Sequence, residues 1–358
     1  VGVDFSLDEA QREVADLARE VLAREPDPDT AWKALGRAGL LTLAVPEELG
    51  GAGLGVVETA VVLTEVGRAT APVPALETLA LGVLPVARCG TRAQLDGLLG
   101  AVGDGAVLTA APHEPSAPFT AAPRTVARRD GEGWTLTGTL IGVRSAAEAY
   151  RVLVPASLGG GGVGVLVVDP TAPGVSQAPT PSSSGLPEAT LRLDGARVGP
   201  DGLLGGDDGG RVLAELHRLA VVGACAVGDG VLAKALELTA AHLRTREQFG
   251  RPLATFQAVA QQVAEVYLAA RTLHLATLAA CWQLGGAAHP SATDDVAVAG
   301  YWLADQALPA LHACQHLHGG LGVDVSYPLH RHYAWVKDLA RFAGGVEHRL
   351  EALACTSN

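Results

Sequence analysis

No methionine occurs in this chain, and nothing in its physical chemistry accounts for that. Cysteine is scarce and scattered: Cys89, Cys225, Cys281, Cys314 and Cys355 stand singly. An odd, unclustered set excludes a disulfide framework and a cysteine metal site, and fits a reducing cytoplasm. Charge is low at 18%, and acidic residues outnumber basic ones, giving a net −12. With no long basic run, a nucleic-acid partner is not expected. By eye no apolar run reaches the roughly 20 residues of a membrane span, so no membrane partner is expected. The first residues, Val1 to Ser6, lack a basic stretch followed by an apolar one, so no secretory leader is expected either.

What remains is rich in small and aliphatic side chains, 48% hydrophobic over 358 residues, enough for two or three domains. Residues 1–104 read as an N-terminal all-α domain. Ser6-Leu-Asp-Glu9 has the form of a capping box opening an amphipathic run to about Ala23. Gly39 to Leu54 reads as a tight glycine-rich loop before a third helix, Val56–Arg68. Residues 105–199 read as a small antiparallel β barrel or sandwich. Its short runs are Ala106–Thr109, Trp134–Thr137, Arg151–Val154, Val163–Val168 and Ala189–Leu193. Gly159 to Gly162 reads as a hairpin loop, since no helix follows it. Residues 208–358 return to helix, with apolar side chains at three- and four-residue spacing through Leu213–Leu243, Phe256–Leu284 and Asp294–Leu311. Such helices make an antiparallel bundle. The fold class is therefore α+β, mostly α.

Between the first two bundle helices lies Arg244-Thr-Arg-Glu-Gln-Phe-Gly-Arg-Pro-Leu-Ala-Thr-Phe-Gln257. A guanidinium matches a diphosphate in charge and fork geometry, and Gly250 permits a sharp turn. Taken alone, Arg246 could be an ordinary exposed turn residue. The whole run resembles the signature of the acyl-CoA dehydrogenase family. There an Arg-x-x-Phe-Gly turn and a following Phe-Gln hold the ADP end of FAD. His316-Leu-His-Gly-Gly-Leu-Gly322 resembles the family's Gln-x-x-Gly-Gly-x-Gly segment, with His316 in place of Gln. Tyr327-Pro328 and Arg331 also fit the pattern. The resemblance covers essentially the whole chain and implies the family's architecture: an N-terminal helical domain, a middle β domain and a C-terminal four-helix bundle. It implies FAD contacts at Arg246, Gln248, Phe249, Phe256, Gln257, His316, Gly319 and Gly320. Arg251 falls just outside that set and is expected to matter less. Five histidines, at 312, 316, 318, 330 and 332, crowd this region, but no metal is expected, because no carboxylate or thiolate set completes a site.

Family members remove two hydrogens from an acyl-CoA. A carboxylate takes the α-proton, and the β-hydrogen leaves as hydride to the flavin. Ala343 and His217 stand at the two positions where members carry that base, so no catalytic residue is assigned. Gly345 replaces a Thr that helps hold FAD. Gly142 and Arg144 stand where a Trp and a Thr flank the isoalloxazine, and Thr109-Ala-Ala-Pro112 replaces Thr-Glu-Pro. The nearest carboxylates, Glu215 and Glu347, read as paired or solvated groups. In the family one subunit supplies the ring contacts and the base, and its neighbour supplies the ADP contacts. This chain lacks the first set and keeps most of the second.

The resemblance thus implies a non-catalytic subunit that completes the FAD site of a catalytic partner. The expected assembly is an α2β2 acyl-CoA dehydrogenase of the kind found in actinobacterial steroid side-chain degradation, with acyl-CoA bound mainly by the partner. Two alternatives stay open. One is a homotetrameric dehydrogenase or oxidase with an unrecognised base, such as His217 or Glu347. The other is a flavin-free structural paralogue.

Overall fold

The computed structural model describes residues 6–206, 208–286 and 292–356. Residues 1–5, read above for a leader, lie outside that set. The helices α1 (Glu9–Arg24), α2 (Pro28–Arg37) and α3 (Val56–Ala69) come first. The box that opens α1 forms two residues later than the sequence suggested. Asp8 Oδ1 accepts from the Gln11 amide at 2.8 Å, and Gln11 Oε1 accepts from the Asp8 amide at 3.1 Å. A π-helix, Leu76–Val83, then runs into α4 (Leu84–Cys89) and α5 (Arg92–Leu99). The Gly39–Leu54 segment is a tight loop, as read. A Cβ on Gly51 would lie 2.1 Å from the Val45 carbonyl oxygen.

The strands are β1 (Val107–Ala110), β2 (His113–Glu114), β3 (Ala117–Pro118), β4 (Val126–Asp130), β5 (Gly133–Arg144), β6 (Ala149–Leu158), β7 (Val163–Val168), β8 (Val175–Thr180) and β9 (Glu188–Val198). Seven of them form one sheet in the order β1-β6-β4-β5-β9-β8, with β7 also on β6. The sheet is mixed, not antiparallel throughout, because β1 and β4 both pair with β6 in parallel. Alternation of small and β-branched residues cannot tell these two pairings apart. Gly160, Gly161 and Gly162 all have positive φ in the β6–β7 turn, the backbone that glycine alone adopts without strain.

The remaining helices are α6 (Gly209–Thr245), α7 (Gln257–Gly285), α8 (Ala292–His318), α9 (Leu329–Phe342) and α10 (Gly345–Thr356). Between α6 and α7 lies a two-stranded hairpin, β10 (Glu247–Gln248) and β11 (Arg251–Pro252). Helix α6 is long and apolar enough to cross a membrane, against the expectation that no run reaches that length. However, 83% of its most apolar stretch is buried in the protein, as in a core helix.

Compactness sorts the chain into two units. A sheet unit comprises residues 24–59 and 72–223, and a bundle unit comprises the described parts of 1–23, 60–71 and 224–358. In the bundle unit, α8 packs on α7, α9 and α10. There α3 and α6 cross backbone to backbone. A Cβ on Gly230 would lie 1.9 Å from the Thr64 carbonyl oxygen, and one on Gly67 would lie 2.1 Å from that of Val227. Ion pairs Arg19–Glu65 at 2.8 Å and Arg68–Glu237 at 2.8 Å fasten the edges of the same unit.

Candidate functional site

The hairpin after α6 turns through Phe249 and Gly250, with φ of 54° and 76°. A two-residue hairpin favours positive φ at both central positions, which suits glycine and penalises a bulky residue. Phe249 is nevertheless 92% exposed, so burial does not offset the strain. Phe256 meets it edge-on, with ring centroids 6.2 Å apart. The Arg251 guanidinium lies 4.1 Å over the Phe256 ring. Arg251 therefore belongs to the hairpin's packing, which position in the motif did not reveal. Arg244, Arg246, Gln248 and Gln257 are exposed around the two rings. Helix α7 starts at Gln257, and its N-cap, Phe256, provides no side-chain bond to the first amides. An uncapped helix start beside guanidinium groups favours an anion.

The end of α8 lies beside the end of α6. His242 and His318 stack with centroids 4.5 Å apart and ring planes 20° apart. His318 is buried, and the residues around it, His316, Gly319 and Gly320, are exposed. Gly319 has φ 61°, and no atom lies within 4 Å of where a Cβ would sit on Gly319 or Gly320, so the backbone is open to close approach. Four of the five crowded histidines have protein partners, His332 through the Pro328 carbonyl at 3.0 Å. His318 Nδ1 bonds the Cys314 carbonyl at 2.8 Å, His330 Nδ1 the Tyr327 carbonyl at 2.7 Å, and His312 Nε2 the Tyr333 hydroxyl at 2.7 Å. Among the described residues no group of three His, Cys, Asp or Glu is placed to hold a metal.

The ring-side positions have a different character. Gly142 sits at φ 59° where the β5–β9 register breaks between Leu140 and Val143. Arg144 is 4% exposed and pairs with Glu77 at 2.5 Å and Glu188 at 3.7 Å, both buried. Glu77 comes from the π-helix, and the Thr109 hydroxyl donates to the Arg144 carbonyl at 3.0 Å. Ala343 is 0% exposed, and its carbonyl accepts from the buried Arg349. Burial lowers the Arg349 pKa to about 10. Gly344 and Gly345 follow with φ of 92° and 79°, a backbone that a β-branched Thr does not tolerate. His217 is half-buried and meets Phe119 edge-on at 5.4 Å, and Phe119 in turn meets His113 at 4.7 Å. Glu215 is buried and committed to Arg88 at 2.6 Å and Arg218 at 2.8 Å. Glu347 is exposed.

The exposed hairpin and the glycine turn suit the anionic, planar ADP end of a dinucleotide. The side chains of Arg144 and Ala343 are buried within the chain. Residues 212–355 match the model of the acyl-CoA dehydrogenase C-terminal domain, and residues 7–106 that of the N-terminal domain. The chain is 45% identical to acyl-CoA dehydrogenase FadE28 of Mycobacterium tuberculosis over 98% of both chains. The chain belongs to the acyl-CoA dehydrogenase family.

These enzymes are FAD-dependent oxidoreductases. A second relative, acyl-CoA dehydrogenase FadE27 of Mycobacterium tuberculosis, is 35% identical over 90% of this chain and 86% of its own. Among solved structures, the fold is similar to the Tcur3481-Tcur3483 steroid ACAD G363A variant, with TM-score 0.90 and 37% identity over 97% of both chains. It is equally similar to a structure of the ChsE4-ChsE5 complex from Mycobacterium tuberculosis, with TM-score 0.90 and 32% identity over 99% of this chain and 98% of that one.

Proposed function

We propose that this chain is the non-catalytic subunit of a heteromeric acyl-CoA dehydrogenase and holds the ADP end of FAD for a catalytic partner. The observation that carries the reading is a split in exposure. The ADP-side residues Arg246, Gln248, Phe249, Gln257, His316, Gly319 and Gly320 are all exposed. Of the ring- and base-side positions, Arg144 and Ala343 are 4% and 0% exposed, and Gly142, His217 and Gly345 are half-buried. Two structural neighbours are named as pairs of proteins, one of them as a steroid ACAD, which supports a paired assembly acting on steroid side-chain thioesters.

In this reading Arg246 and the uncapped start of α7 bind the diphosphate. Phe249 and Phe256 would offer apolar rings to the adenosine, and Gly319 and Gly320 would let the backbone come close. Bound flavin supplies the hydride acceptor for α,β-dehydrogenation of the acyl-CoA. The proton-abstracting carboxylate comes from the partner, as does most of the acyl-CoA pocket. Nothing in this chain's turn at Ala343 can accept a proton. Co-expression with a catalytic acyl-CoA dehydrogenase subunit should give an α2β2 tetramer carrying flavin. This chain purified alone should be colourless. A homotetramer of this chain that binds FAD tightly and turns over acyl-CoA would replace this reading with the homomeric one.

A further inference from the structure

The two parts of the ADP clasp lie some seventy residues apart in the chain, yet one ring pair joins them. His242 is one helical turn before Arg246, whose amide donates to the His242 carbonyl at 2.8 Å. His318 immediately precedes Gly319. The stack at 4.5 Å therefore links the arginine turn to the glycine turn. His318 also reaches the return loop, with Nε2 3.1 Å from the Tyr327 hydroxyl, while His330 holds the Tyr327 carbonyl from α9.

The hydrogen-bond partners fix the tautomer of the neutral ring. The Cys314 carbonyl can only accept, so His318 Nδ1 carries the hydrogen. Nε2 is then the acceptor, and the Tyr327 hydroxyl donates to it. A second proton at Nε2 would reverse that bond, with the Tyr327 oxygen accepting, and put a cation against the face of His242. Arg246 adds a further positive charge on the His242 side. From the return loop, the facing titratable group is the phenol of Tyr327, and no carboxylate acts on either ring among the described residues.

We propose that the stacked pair His242–His318 is a neutral positioning strut that sets Arg246 against Gly319–Gly320, so that the grip on the ADP end of FAD weakens as the pair is protonated. The inference rests on the flavin-sharing reading above. Burial pushes both imidazoles below the ordinary histidine range, with His318 and Arg246 acting on His242 as lesser causes. Both rings are therefore neutral at pH 7. Protonation opposes the stacked form once the pH falls below about 6.5.

The test is FAD titration of the assembled apo-complex from pH 8 to pH 5.5, with circular dichroism to verify the fold at each pH. The wild-type affinity should fall about three- to ten-fold across that range, the worth of one aromatic pair. His242→Ala should lose about as much already at pH 8. His242→Phe keeps a ring face that tolerates an imidazolium. It should bind within about two-fold of wild type at pH 8 and show a flat profile. A flat wild-type profile, an affinity that rises towards pH 5.5, or an unaffected His242→Ala complex would overturn the strut, even with flavin bound as proposed. A rise would mean that the rings contact the anion directly. A complex that takes up no FAD at any pH would overturn the flavin-sharing reading, and the strut with it.

Discussion

The residues proposed to hold the ADP end lie mostly in the open, whereas Arg144 and Ala343, two of the substituted ring- and base-side positions, lie in the core. The contrast is chemical as well as geometric. Around Phe249 three arginines and a strained aromatic face solvent, an arrangement that the isolated fold gains nothing by keeping. At Arg144 the guanidinium pairs with two buried carboxylates, and the Thr109 hydroxyl donates to the Arg144 carbonyl. One set is arranged for something outside the chain, and the other is arranged for the chain itself. Substitutions in the first should change binding and leave folding alone, and substitutions in the second should do the reverse.

Activity should show the largest effect. The lone chain should turn over no acyl-CoA, because a missing general base alone costs about 10²–10⁴-fold. Ala343→Glu should not restore turnover. It puts a carboxylate at a fully buried position, and a lowered melting temperature without gain of dye-coupled activity is the expected result. Next comes the buried cluster. Arg144→Met leaves Glu77 and Glu188 without their cation and should cost about 3–5 kcal/mol in denaturant unfolding. A loss under 1 kcal/mol would mean that the cluster is not what organises that region. Arg246→Ala should leave unfolding unchanged and weaken FAD binding by the complex. A charged hydrogen bond is worth about 1.5–3 kcal/mol, or about one to two decades in affinity. Unchanged affinity would return Arg246 to the role of an ordinary turn residue. Arg251→Ala is the mildest case. Losing its stack on Phe256 should cost about 0.5–1 kcal/mol, a few-fold in affinity. No change at all would restore Arg251 as a neutral bystander.

Helical periodicity made α1, α3, α6 and α7 readable within a few residues at each end, while α8 runs seven residues past the expected Leu311 and α9 and α10 were read only as helical sequence without bounds. The sheet was less legible. Strand runs were visible, but β4 and β8 were not, and parallel pairing on β6 depends on which segments meet, which no local pattern encodes. The π-helix at Leu76–Val83 was also invisible, since its apolar run reads as an ordinary helix.

In the site, the motif around Arg246 stood out because its residues are close in sequence. What the sequence could not show was how the substituted positions are used. Arg144 read as a missing Thr, whereas it holds together a π-helix and two strands through Glu77 and Glu188. Gly345 read as a missing hydroxyl, whereas it answers a left-handed backbone. The His242–His318 stack joins residues from different helices, and no spacing rule pairs them.

On the proposed reading, this chain supplies one half of a flavin site and lacks the other half. Flavin absorbance against protein mass in the purified complex with a catalytic acyl-CoA dehydrogenase subunit tests it most directly. The account predicts two FAD per α2β2 tetramer and none on this chain alone, and four FAD per tetramer would contradict it.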